Sequence, residues 1–253
     1  MKAEVFIPCF TDQLKPESAQ SVFRVLNHLG VETHYPETQT CCGLMAYRAG
    51  YWDEVKILGE KFINEFSTDK YVVMPSAACA HMVRENYNRF FYNTSLHLDY
   101  KKLQTKVFEF SDFLINVLHV SAWKGKFKAK IFIHTCNSTS VEYGIKSQPQ
   151  ELLSMVKGVE LVQIPDMHAD CGFEPGFAFK HPDLSTDMAL ELLNQVAGAG
   201  AEYLVTLETS CMVQLESVAA RHNIQVQIAT VADILAQSLR NSDLPDDEFM
   251  TLG

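Results

Sequence analysis

No two of the seven cysteines in this 253-residue chain stand in a C-x-x-C spacing. That spacing marks zinc ribbons and dithiol redox sites, so neither is written here in its usual form. No apolar run approaches the roughly 20 residues that span a bilayer, so no transmembrane segment is expected. Positive charge is scarce: 21 Lys and Arg face 31 Asp and Glu, a formal net charge of −10. Nucleic acid and anionic membranes require the opposite balance, so neither is an expected partner. A local cationic pocket for a small anion stays open. G-x-G-x-x-G, the P-loop and the nucleophile elbow are all missing, which leaves a separate nucleotide or hydrolase site without support. The opening "MKAEVFIPCF" carries Glu4 and reads as a strand rather than a signal peptide. A cytoplasmic location is therefore expected, and an odd number of cysteines there argues against a disulfide scaffold.

What is present is a chain that repeats itself. "KAEVFIPCF" (2–10) matches "KAKIFIHTC" (128–136), and "YVVMPSAACAHMV" (71–83) matches "YLVTLETSCMVQL" (203–215). "LNHLGVETHYPETQTCCG" (26–43) pairs with "SMVKGVELVQIPDMHADCG" (154–172), and "VFEFSDFLINVL" with "QIATVADILAQSL". Gly30 and Gly158 lie 128 residues apart, Cys42 and Cys171 129, and Cys79 and Cys211 132. Four segments in one order at one offset indicate an internal duplication of about 125 residues per copy, far longer than a solenoid unit. The expected division is 1–122 and 128–253, with "WKGKFKAK" (123–130) at the join. Within each copy, β-rich runs alternate with amphipathic stretches such as "PESAQSVFRVLNHLG", which ends on a C-capping glycine. Strands separated by helices predict βαβ units and a parallel sheet, an α/β fold.

The cysteines follow the repeat. Copy one has Cys9, Cys41, Cys42 and Cys79; copy two has Cys136, Cys171 and Cys211. Each comes after a predicted strand or before a helix, at the carboxyl edge where parallel sheets bind ligands. A single free cysteine is ordinarily a small buried hydrophobe; seven at such positions argue for ligands. Adjacent Cys41 and Cys42 suit poorly a disulfide with each other or a single zinc, and better a polynuclear cluster in which each thiolate takes a different iron.

The motifs "CCG" (41–43), "PSAAC" (75–79), "DCGF" (170–173) and "TSC" (209–211) give the chain a specific resemblance to the CCG-domain (cysteine-rich domain) family of iron–sulfur proteins. That family includes the cysteine-rich component of heterodisulfide reductase, the glycolate oxidase iron–sulfur subunit and the lactate-utilisation branch, which this chain resembles most in length and layout. The resemblance implies two Rossmann-like CCG units related by a pseudo-twofold axis, each a potential [4Fe–4S] site. It implies an electron-transfer subunit, an oxidoreductase component rather than a stand-alone enzyme, working with other subunits of a lactate- or glycolate-oxidising complex. It assigns Cys9, Cys41, Cys42 and Cys79 to a first site and Cys136, Asp170, Cys171 and Cys211 to a second. No catalytic residue is assigned.

The chain departs from the family pattern in four places. Ser76 and Glu208 replace the first cysteine of the family's terminal C-x-x-C, and Asp170 replaces the first cysteine of the second Cys-Cys-Gly. "GFEPG" replaces a small-residue loop, and these 253 residues include no long ferredoxin-like segment, so the fused glycolate oxidase type is not expected. Carboxylate is a harder ligand than thiolate, so the expectation is one cluster, in copy one, with the second site altered or lost. His134, His168 or His181 could complete a zinc or mixed site there, although a histidine near a motif is more often a loop residue. Zinc, or nothing, at these thiols is the competing reading, that of a non-redox scaffold.

Overall fold

The computed structural model describes residues 1–136, 138–165, 167 and 169–240. Two four-stranded parallel sheets organise it. In the first, Lys2–Val5 (β1), Glu32–His34 (β2), Tyr71–Met74 (β3) and Val107–Glu109 (β4) run in the order β2-β1-β3-β4. In the second, Lys126–His134 (β5), Lys157–Leu161 (β6), Tyr203–Thr206 (β7) and Gln227–Thr230 (β8) run in the order β6-β5-β7-β8. The order is the same in both, as duplication requires. Registers agree too: Val5 pairs with Val73, and Ile133 with Val205. The inner strands β1, β3 and β7 are short apolar runs buried on both faces, the pattern of a sheet covered by helices on each side, while the longer β5 alternates exposed lysines with buried residues before its buried end.

The predicted Pro16–His28 helix forms, with proline in its first turn and Gly30 at φ +74° just beyond its end. Its apolar face (Val22, Val25, Leu26) packs with Ile234, Leu235 and Ala236 of the Val231–Arg240 helix, so one core is built from both repeats. Two further cores belong to one repeat each. Phe62, Phe66 and Phe91 lie in the first of these, and Leu192, Leu193 and Leu215 in the second. The stretch 88–106, which has no clean period, folds as two short helices, Asn88–Phe91 and His97–Gln104.

A pseudo-twofold relation shows in the contacts between repeats. Asp112 and Asp233 are the equivalent acids early in the helices that follow β4 and β8. Asp112 accepts from Tyr143 Oη of the second repeat at 2.6 Å, and Asp233 accepts from Ser18 Oγ of the first at 2.9 Å. Ser76 and Glu208, also equivalent, meet each other: Ser76 Oγ donates to Glu208 Oε2 at 2.7 Å. Equivalent residues touch only near an axis that relates them.

Candidate metal centre

In an open parallel sheet, ligands bind at the carboxyl edge where the strand order reverses. Here the reversal falls between β1 and β3, and again between β5 and β7. Cys9 follows β1 and Cys79 follows β3; Cys136 follows β5 and Cys211 follows β7. Cys41, Cys42 and Cys171 arrive on the long loops after β2 and β6. Cys79 and Cys211 lie inside the first turns of the Ala77–His81 and Thr209–His222 helices rather than in the preceding loops.

The four first-repeat thiols converge as a string. Cys9 Sγ is 3.8 Å from Cys41 Sγ, and Cys42 Sγ is 3.2 Å from Cys79 Sγ. Gly43, at φ +82°, turns the chain sharply enough for its N–H to reach back to Cys41 Sγ at 3.3 Å. Hydrogen bonds from Cys42, from Cys9 and from the Gly43 N–H pull the Cys41 thiol down to about 3, against the effect of burial. Cys9 is pushed up, chiefly by its hydrogen bond to Cys41 and by burial. Cys42 is pushed up by its bonds to Cys41 and Cys79 and by burial. The protein alone thus favours a shared negative charge on the string; full ionisation of four crowded thiols requires a cation among them. The supports are fixed. Ser76 Oγ accepts from Cys79 N at 3.1 Å and caps the helix carrying that cysteine. Buried Tyr87 donates to the Cys42 carbonyl at 2.9 Å.

The second repeat differs. Cys171 and Cys211 form a disulfide with Cα atoms 5.6 Å apart, a bond the odd cysteine count did not suggest. Buried His134 ends β5 beside them. The donor atoms of His134, Cys171 and Cys211 all lie within 4.8 Å of one another, the one such group among the described residues. His134 Nε2 is buried with no hydrogen-bond partner. Burial lowers the pKa of His134, opposed by the charge of Asp170, the direction that favours the neutral imidazole a metal ligand needs. Asp170 is half-buried and accepts from Gly172 N at 3.3 Å, as Cys41 does from Gly43 N in the first repeat. Cys136 is buried in the same apolar surroundings. His181 stands between two helices against the Phe177 ring, apart from the trio. His168 falls outside the described residues.

The first site opens on a cleft between the repeats, of about 60 Å³, which reaches Cys136 and Cys211 of the second. The four first-repeat cysteines, Cys136 and Cys211 line it, with Phe173, Arg48 and Glu208. Phe10 meets Phe173 edge-on across it, with ring centroids 5.7 Å apart. Glu208, whose role the sequence did not disclose, takes the Ala78 N–H at 2.8 Å as well as the Ser76 hydroxyl. Burial raises its carboxyl to about 7 against those two bonds. The only hint was its position, where the longer motif has cysteine.

The family model for the CCG cysteine-rich domain matches residues 3–84 and 131–216. Lactate utilization protein A 2 of Bacillus cereus (strain Q1) is 34% identical over 245 residues, 94% of this chain and 99% of that protein. Lactate utilization protein A 1 of Bacillus mycoides (strain KBAB4) is 34% identical over 248 residues, 96% of this chain and all of that protein. A solved structure of a hypothetical protein from Helicobacter pylori superposes with a TM-score of 0.66 at 10% identity, covering 97% of this chain and 49% of the other, a likeness of fold.

Proposed function

The chain belongs to the CCG family of cysteine-rich domain proteins, and we propose that its first repeat holds a [4Fe–4S] cluster through Cys9, Cys41, Cys42 and Cys79. The observation that carries this reading is the string itself. Its four thiols meet at a sheet switch point, yet no three of them form a compact group of the kind found at His134. A tetrahedral zinc needs ligands around one point; a cluster takes one thiolate per iron. Cys41 and Cys42, adjacent in sequence, lead to different neighbours, Cys9 and Cys79, as separate irons require.

Such a cluster supplies one-electron transfer. The chain's own part is to supply thiolates, to hold them by the Ser76, Gly43 and Tyr87 hydrogen bonds, and to seat them in a cleft with one open side. We infer an electron-transfer subunit of a 2-hydroxy-acid oxidising system. L-Lactate is favoured over glycolate because 34%-identical relatives of the same length are named for lactate utilisation. Its partners are the other subunits of that system, and its need for reduced thiols supports a cytoplasmic location. Among the described residues no helix is long and apolar enough to cross a membrane.

Cys42→Ser tests the assignment. Anaerobically prepared wild type should be brown, with broad absorption in the visible; the variant should lose most of that colour. A variant as coloured as wild type would sink the assignment.

A further inference from the structure

The two sites are repeat-equivalent, but two substitutions separate them. Cys41 of the first corresponds to Asp170 of the second. By strand register Phe6, a core residue 0% exposed, corresponds to His134, 4% exposed. A buried imidazole has thus taken the place of an apolar phenyl ring, and its Nε2 has no hydrogen-bond partner. Leaving such an atom dry is costly, so its retention calls for an occupant. The neighbouring donors are two cysteine sulfurs, and the three donor atoms lie within 4.8 Å of one another. That is the compactness a single ion needs and the first-repeat string lacks.

We propose that the second repeat binds one zinc ion through His134 Nε2, Cys171 Sγ and Cys211 Sγ, with the fourth position left to a water. The donor set supports zinc over a second cluster: one nitrogen, two sulfurs and an oxygen suit a borderline-soft tetrahedral ion, whereas a cubane favours four thiolates. The Cys171–Cys211 disulfide and the zinc site are alternative states of the same two sulfurs. Reducing the disulfide with a thiol or phosphine consumes two electrons and two protons and gives two thiols. Binding the ion then releases those two protons. The inference does not depend on the first-repeat cluster.

The test is elemental analysis of chain purified anaerobically under reducing conditions, with cobalt(II) titration of the zinc-stripped protein. About one zinc per chain is expected beside the iron, and cobalt should give the intense thiolate charge-transfer bands of a tetrahedral site. His134→Ala and Cys211→Ser should each lose most of the zinc and leave the iron unchanged, while the control His181→Ala keeps both. Should those variants fold poorly, the wild-type cobalt spectrum decides alone. Reduced wild type with neither zinc nor cobalt–thiolate bands overturns the proposal. So does about eight irons per chain, or a His134→Ala protein with its full zinc. Iron without zinc removes this site only; zinc without iron removes the first-repeat cluster only.

Discussion

Glu208 shows what one residue does at the axis between the repeats. Its carboxylate joins the Ser76 hydroxyl and the Ala78 N–H, fixing the turn that carries Cys79 from the other half of the molecule. Glu208→Ala strands both donors in a buried place and should cost about 2 to 3 kcal/mol, read as a lower urea midpoint with unchanged slope. A midpoint within error of wild type would show that the contact carries no stability. Glu109 lies 2% exposed at the end of β4, where it accepts from Ser111 N and Asp112 N. Burial raises its carboxyl from the ordinary 4.5 to about 8, the two N–H bonds opposing and the Asp112 and Glu208 charges adding. The folded state therefore keeps a proton that the unfolded chain releases. The stabilisation from Glu109 is complete below about pH 4.5 and is lost as pH climbs toward 8. Glu109→Gln, which does not titrate, should show a smaller fall in urea midpoint between pH 5 and pH 8 than wild type; an equal fall would contradict the assignment.

Among the elements, the two Cys-Gly turns look alike and are not. Gly43 and Gly172 both need positive φ, +82° and +71°. A Cβ on Gly43 would meet Leu58 at an ordinary 3.6 Å, whereas one on Gly172 would lie 2.3 Å from the Ser185 carbonyl oxygen. Gly43→Ala should then cost about 1 to 2 kcal/mol for its conformation alone. Gly172→Ala, which also needs backbone displacement, should cost more than about 3 kcal/mol. Thermal melts of the pair rank them, and equal losses would refute the distinction. Both turns were visible in the sequence because Gly follows Cys at a fixed offset, and so was the Pro16–His28 helix, because its apolar spacing is local. The rest was hidden for a physical reason. The Glu208–Ser76 contact joins residues 132 apart, and no periodicity encodes which acid meets which hydroxyl. The Cys171–Cys211 pairing and the dry face of His134 likewise exist only once β5, β7 and the loop after β6 have come together.

At the scale of the molecule, duplication turned two half-sites toward one cleft. The repeats are tied by Lys15–Glu216 at 2.6 Å and by Ser18–Asp233, and the join is pinned to the second by Trp123 Nε1 donating to Ser238 Oγ at 2.7 Å, all around a core that neither half owns. Unfolding should therefore be one cooperative transition, coincident by circular dichroism and tryptophan fluorescence; two separated transitions would mean the shared core contributes little. The most direct measurement of the central claim is iron and acid-labile sulfide in the anaerobically reconstituted wild-type chain. One cluster on the Cys9, Cys41, Cys42 and Cys79 string predicts about four of each per chain. Iron and sulfide near zero would leave the string without a cluster, and about eight of each would place a second cluster where the second repeat offers only His134, Asp170 and three cysteines.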